Sequence, residues 1–292
     1  MKPAAFTYHR ARDVEGAARL LAELGELGDE AKVIAGGQSL VAMMNFRLAR
    51  PQHLVDICGL PGLDGLRTDA DGALHIGALT THHAVETAPP EALGQEFAVI
   101  RDAMQWIGHL PIRTRGTVGG SMAHADSTAE WCLLAVLLDA VLVARGPDGE
   151  RRIAAADFFQ GYYTTALEPE EILTEVVFPR PAPRAALAEF AERRGDFATV
   201  SAAIDLELAP GGGGLSGGRV ALGGVSLLPV RVPEAEEVLG RGSPPSRELF
   251  AECAATAAES VDPPSDGNGS AHYRRVLIRT LVARACEEAM AR

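Results

Sequence analysis

Two short stretches of the chain combine residue types able to hold an anion: AGGQSL, Ala35 to Leu40, and IRTRGTVGGSMAHAD, Ile112 to Asp126. Each sets a Gly-Gly pair, Gly36-Gly37 or Gly119-Gly120, beside hydroxyl side chains, Ser39 in the first and Thr117 and Ser121 in the second. Glycine admits positive φ and removes the side chain that would block a ligand. Successive bare amides can then form a concave nest around one anion. A helical pattern follows the first pair at once, so its N-terminal dipole adds to the pull on a phosphate. Such a cradle requires no Lys or Arg. By residue type alone two descriptions stay open, because Gly-Gly pairs also make ordinary turns. The chemistry read this way reaches a bound diphosphate or other anion and stops there.

Other residues invite chemistry and are weighed against plainer roles. Cys58, Cys132, Cys253 and Cys286 lie far apart and form no CxxC pair, so they read as structural thiols rather than metal or cluster ligands. His82 and His83 are adjacent in a helical pattern, where side chains diverge and cannot share a metal. His124 and Asp126 stand beside the second glycine pair, and His109 and Arg113 flank it, so these four can position the loop. Tyr162 and Tyr163 read as core-filling aromatics, and Asp196 as a turn anchor. No Ser-His-Asp arrangement can be argued from spacing, so no catalytic residue and no metal ligand is assigned. Gly212, Gly214 and Gly217 satisfy GxGxxG inside a glycine run, but a strand-like RVALGGV follows, which makes the run a hairpin connection.

The elements that must carry the two loops read as follows. Asp13 caps a helix from Val14 with apolar residues at helical spacing; a strand at Lys32–Ala35 leads into Gly36, and a helix at Ser39–Leu48 precedes a strand at His53–Ile57. A middle region has strands at Leu74–Ala78, Ala140–Ala144, Arg151–Ile153 and Ile172–Phe178, with helices at Thr81–Thr87, Leu93–Gly108 and Glu130–Leu138. PRPAPRA, Pro179 to Ala185, reads as a linker. Beyond it, strands near Leu187–Glu192, Ser201–Leu208 and Arg219–Val225 precede helices near Pro233–Leu239, Arg247–Ser260 and His272–Ala291. A strand block followed by a helix block is the pattern of a separate α+β domain.

Composition bounds the function. At 292 residues, with 47% hydrophobic and 23% charged residues, the chain reads as a globular protein of about two domains. No apolar run is long enough to span a membrane, and MKPAAFTYHR lacks a secretory core, so the expected location is the cytoplasm. The net charge of −12 disfavours nucleic acid. Arg274, Arg275 and Arg279 form the nearest basic patch and read as a solvated helix face.

The strings themselves carry a resemblance. AGGQSLVAMMNFRLARPQHLVDI and IRTRGTVGGSMAHADSTAE resemble the two FAD loops of the FAD-binding subunit of the molybdenum hydroxylases, the group with carbon monoxide dehydrogenase medium chains and the xanthine dehydrogenase flavin domain. LHIGALTTHHAVE, FFQGYYTTALEPEEIL, RRGDFATVSAA, VALGGVSLLPVRVPEAE and SAHYRRVLIRTLVARA are similar to further signatures in the same order, so nearly the whole chain is covered. The resemblance implies an α+β protein: an FAD-binding domain of the p-cresol methylhydroxylase type at 1–178, with α/β subdomains of about 1–57 and 58–178. A C-terminal flavoprotein domain of antiparallel sheet and helices follows at 186–292. It implies that Ala35, Gly36, Gly37, Gln38, Ser39 and Leu40 hold the pyrophosphate through backbone amides, with Thr117, Gly119, Gly120 and Ser121 doing the same from the other side. Glu130 matches an acidic residue that hydrogen-bonds FAD, Ile172 and Leu173 match an apolar stretch near the adenine, and Thr199 matches a segment approaching the flavin. Pro111, Thr114 and Ser127 depart from the family's commoner polar residue, Asn and Pro, without loss of a glycine or key hydroxyl.

The implied function is electron transfer within a hetero-oligomer. A molybdopterin-binding large subunit oxidises substrate, a small subunit carries [2Fe–2S] clusters, and FAD on this chain passes electrons to an external acceptor. Two other descriptions are kept: a free-standing FAD-dependent oxidase or reductase, and a non-catalytic assembly subunit with a vestigial FAD site.

Overall fold

The structure, a computed structural model, describes residues 2–211 and 213–292. Among the described residues three sheets of three or more strands follow in chain order, with a two-stranded ribbon besides. The first is parallel: β1 (Thr7–Arg10), β2 (Ala31–Ile34) and β3 (His53–Asp56), in spatial order β1-β3-β2. Helix Val14–Glu26 covers it, capped by Asp13, whose side chain accepts from the Gly16 amide at 2.6 Å. The helix buries Ala17, Ala18, Leu21 and Leu24, the residues whose spacing marks its apolar face. β1 is absent from the sequence reading because TYHR is polar and sits exposed on a sheet edge.

The second sheet is antiparallel and five-stranded. It comprises β4 (Leu66–Thr68), β5 (Leu74–Gly77), β6 (Val141–Gly146), β7 (Gly149–Ala154) and β10 (Ile172–Phe178), ordered β4-β5-β10-β6-β7. A two-stranded ribbon, β8 (Phe159–Gly161) and β9 (Thr164–Thr165), lies between β7 and β10 in sequence. The third sheet, β11 (Ala185–Phe190), β12 (Val200–Leu208), β13 (Leu215–Gly223) and β14 (Val230–Arg231), is antiparallel in sequence order. Helices Pro233–Leu239, Arg247–Glu259 and Ala271–Met290 follow it, giving the mixed α+β architecture expected.

Helix Glu130–Leu137 joins the two larger units. Every residue in it is buried, because one side packs into the middle core and another meets β12, β13 and β14. Side-chain alternation on the third sheet divides accordingly. Leu187, Ala203 and Ala221 face the middle core, while Ala188, Ala202 and Leu222 face the C-terminal helices.

Four expectations change. The helix expected over Leu93–Gly108 is two short helices, Pro90–Leu93 and Ala98–Ala103, because the chain turns at Gly94 with φ of +61°. The linker is not loose: the Ala182 amide donates to Glu96 O at 2.8 Å, Ala182 is buried, and β11 starts at Ala185. Arg274 does not lie on a solvated face. It is 3% exposed and donates to the carbonyls of Thr199 and Gly224, and it pairs with Asp266. Its partners come from loops that helical spacing does not reveal. Tyr162 and Tyr163 do not fill a core; both are exposed, and Tyr163 has φ of +54°. In the glycine run Gly212 lies outside the described residues; Gly217 lies on β13, so a strand follows the run.

Candidate functional site: two glycine segments in contact

β2 ends at Ile34 and the chain runs through Ala35–Ser39 into helix Leu40–Asn45. Gly37 takes φ of +71°, a conformation that L side chains rarely adopt, and this bends the segment. Among the described residues, the amides of Gly36, Gly37, Gln38, Ser39 and Leu40 have no backbone or side-chain acceptor. Ser39 makes no capping bond, which leaves its hydroxyl available. Five consecutive uncommitted amides around a left-handed glycine are the chemistry of an anion nest. The segment is tied down from behind: the Cys58 thiol donates to Ala35 O at 3.0 Å, and burial pushes that thiol up to about 11. It is therefore a protonated donor rather than a nucleophile.

The second segment is built differently from the expectation. Thr117 is the N-cap of helix Val118–His124, and its Oγ1 accepts from the Gly120 amide at 3.0 Å. The Val118 amide donates to Thr80 O, Gly119 to Ala78 O and Ser121 to Thr117 O, at 2.8 to 3.0 Å. These amides are spent inside the chain, so a free amide nest on this side is corrected. Reading GTVGG as a loop missed that a Thr three residues before a Gly satisfies a helix start. What this segment presents is bare backbone at exposed Gly120 and the half-buried Ser121 side chain.

The two segments touch. A Cβ on Gly36 would stand 2.0 Å from Arg115 O and 3.0 Å from Gly116 Cα. Gly116 in turn packs on His82, whose Nε2 would lie 2.8 Å from a Cβ there. His82 accepts at Nδ1 from Trp131 Nε1 at 3.0 Å, so its proton is on Nε2. Burial, aided by Arg113, lowers its pKa to about 4 and keeps it neutral. Arg113 fixes the approach turn, binding Glu86 at 3.0 Å and the carbonyls of Ile107 and Gly108. The His109 ring packs where a side chain on Gly195 would fall, tying the RRGDF turn to the same place.

A hollow of about 300 Å³ opens beside the first segment, walled by Phe6, Tyr8, Gly36, Gly37, Val41 and Arg115. A larger one, about 400 Å³, lies by Arg67, His75 and Glu175 and shares no residue with either glycine segment. Past the second segment, Asp126 accepts from Thr128 and from Tyr163 Oη at 3.2 Å, and His124 stacks on Tyr163 at 4.7 Å. Glu130 is buried at the start of the connecting helix. Ile172 joins the core that backs Ala35, whereas Leu173 points into the middle core. Thr199 is buried, and exposed Phe197 precedes it by two residues. Among the described residues, no group of three or more His, Cys, Asp or Glu side chains is placed to hold a metal. None of their helices is long and apolar enough to cross a membrane.

His82 and Cys58 had no signal in the sequence as site residues; each acts through a contact of long sequence separation. A parallel unit and an antiparallel unit press two glycine segments together, backed by a third α+β unit. Residues 4–181 match the FAD binding domain in molybdopterin dehydrogenase, and residues 185–289 match the CO dehydrogenase flavoprotein C-terminal domain. The chain belongs to this family of FAD-binding medium subunits of molybdenum hydroxylases, and its cofactor is FAD.

Relatives agree along the full length. The 6-hydroxypseudooxynicotine dehydrogenase complex subunit alpha of Paenarthrobacter nicotinovorans is 40% identical, over 100% of this chain and 97% of that one. The carbon monoxide dehydrogenase medium chain of Afipia carboxidovorans is 36% identical, over 100% and 99%. Among solved structures, carbon monoxide dehydrogenase from Hydrogenophaga pseudoflava superposes with a TM-score of 0.92 at 33% identity, covering 100% of this chain and 99% of that one. Quinoline 2-oxidoreductase from Pseudomonas putida gives the same score, identity and coverage. The chain is thus an FAD-dependent oxidoreductase subunit.

Proposed function

We propose that this chain is the electron relay of a three-part molybdenum hydroxylase, taking electrons from [2Fe–2S] clusters on a small subunit and passing them to an external acceptor. The observation that carries the reading is the contact of Gly36 with Arg115 and Gly116, which sets the uncommitted amides of Gly36–Leu40 against the turn that leads into helix Val118–His124. FAD supplies reversible uptake of electrons when bound. The residues of the chain bind and orient it. The amides of Gly36 to Leu40 and the Ser39 hydroxyl take the diphosphate, Ala35 anchors the segment, and Thr117 and Gly119 hold the opposing helix so that Gly120 and Ser121 reach the cofactor. Glu130 contacts it from the connecting helix, while Ile172 and Leu173 line the adenine end through backbone and packing.

Substrate oxidation falls to a molybdopterin-binding large subunit. Two kinds of support bear on the partners: the relatives carry names such as medium chain and complex subunit, and the four cysteines of this chain are scattered and free. A cytoplasmic location, and the division into 1–57, 58–178 and 186–292, belong to the same proposal; free thiols suit a reducing compartment.

The test is gentle native purification followed by an absorption spectrum, metal analysis and identification of companion chains. Flavin, iron and molybdenum with two partners is the expected result. Rapid substrate-driven bleaching of the flavin on the lone chain would instead favour a free-standing enzyme.

A further inference from the structure

The ribbon of β8 and β9 turns over two residues, Tyr162 and Tyr163, with Gly161 paired to Thr164. Tyr163 takes φ of +54° there. Positive φ at the second position of a turn is ordinarily left to glycine or asparagine, and a bulky side chain in it is strained. Ala125 is a second such case. It caps helix Val118–His124 with φ of +53° and ψ of +43°, a place that glycine usually fills. The two left-handed turns come from separate parts of the chain, and they meet.

Tyr163 grips the residues on either side of Ala125. Its ring stacks on His124 with centroids 4.7 Å apart and planes 22° from parallel. Its hydroxyl donates to Asp126 Oδ2 at 3.2 Å. The other Asp126 oxygen accepts from the Thr128 amide at 2.9 Å and the Thr128 hydroxyl at 2.7 Å. Tyr162 buttresses the arrangement: its ring lies 4.1 Å from that of Tyr163, and its hydroxyl donates to the Tyr163 hydroxyl at 3.1 Å. Burial holds the His124 ring toward its neutral form and keeps the Tyr163 phenol protonated, so the stack and the hydrogen bond persist together.

Strain of this kind persists only where the surroundings over-determine it, and it gathers at functional sites. Here it lies at the end of the second glycine helix. The Ala125 amide closes the last turn on Ser121 O at 3.2 Å. His124 stands three residues beyond Ser121 and four beyond Gly120, so the three share one helix face. What is fixed at His124 is thereby fixed at the end that presents Gly120 and Ser121.

We propose that Tyr163 is a positioning residue for FAD, a clasp on His124 and Asp126 that sets where Gly120 and Ser121 stand. The inference rests on the flavin reading, in which Gly120 and Ser121 reach the cofactor. Glycine would suit the turn better but could not clasp. A residue that served only the fold would lower stability and affinity together when replaced. Tyr163→Gly relieves the turn while it releases the helix, so the two quantities move apart.

The test uses the full-length chain with FAD as the probe. Affinity is read by quenching of flavin fluorescence, and stability as the Tm of the FAD-free chain. Tyr163→Gly is expected to keep or raise Tm and to weaken FAD binding roughly tenfold, through loss of an aromatic pair and of a hydrogen bond to a carboxylate. Tyr163→Phe keeps the stack and should weaken binding about threefold. His124→Ala alone should also weaken binding, but added to Y163G it should cost nothing further, because the two side chains act as one unit. Unchanged binding in Y163G, a Tm and an affinity that fall together, or losses that add in the double variant overturn the inference. Should Y163G not fold, Y163F decides, weakened in support or unchanged against. A wild-type chain that takes up no FAD sinks the flavin reading, while the His124 ring protons, shifted upfield by stacking and released in Y163F-free, unstacked Y163G, still report on the clasp, so the two failures are told apart.

Discussion

Gly36 lies directly against the Arg115 carbonyl: the position of a Cβ on Gly36 is 2.0 Å from that oxygen and 2.7 Å from its carbon. Real Cβ atoms do not approach backbone so closely, so this glycine sets the distance between the two glycine segments. Its role is steric, and separate from the positive φ needed at Gly37.

Gly36→Ala is accordingly expected to push the segments apart and to lower FAD retention well below one per chain. Flavin released by denaturation and quantified by absorbance against protein concentration checks this. Full stoichiometry in the variant would remove Gly36 from the site.

Gly119 behaves otherwise. Its Cβ would meet Ala78 Cβ at 2.5 Å and Ala78 O at 2.8 Å, inside the junction of β5 with the second segment. Gly119→Ala is expected to overpack that junction and cost about 1–3 kcal/mol, read as a lower Tm of the FAD-free chain. Loss of flavin at unchanged stability would point to direct contact instead.

His82 gives a pH dependence of known sign. Its pKa is about 4 in the folded chain against an ordinary 6.5, so between those values the unfolded state binds more protons. Stability contributed by the neutral ring is complete above 6.5 and is lost as pH falls toward 4, up to roughly 3 kcal/mol. The buried carboxyls act in the opposite direction, so the measurement is the difference in urea midpoint between wild type and His82→Gln across this range. That difference should shrink on acidification; a constant gap would show that His82 does not titrate as argued.

Arg274→Met should destabilise the chain by about 3 kcal/mol, because the Thr199 and Gly224 carbonyls lose their donor in a buried setting. Protease sensitivity near Phe197 should rise with it, since Thr199 anchors that turn. Equal denaturant midpoints for variant and wild type would contradict this.

How far the chain could be read from its residues differs by element. The strand Ile172–Phe178 and the helix Pro233–Leu239 appear with the limits that their patterning indicates, because apolar content and flanking prolines act locally. The first glycine segment was legible for the same reason: a strand, a glycine pair and a helix adjoin in sequence. The second was legible as residues but not as geometry, since its amides are consumed by Ala78 and Thr80, some 40 positions away on the other side of a turn. Arg274 was misread because Thr199 and Gly224 are separated from it by 75 and 50 residues. For Glu189, alternation marked its strand but not which layer its odd-numbered face would meet.

The connecting helix Glu130–Leu137, enclosed on all sides, has a mechanical consequence. It acts as a dowel driven into both larger blocks, so hinging them apart would wet its apolar flank at roughly 25 cal/mol for each Å² uncovered. Whatever is held beside such a joint keeps a constant spacing from both blocks, set by construction rather than by motion.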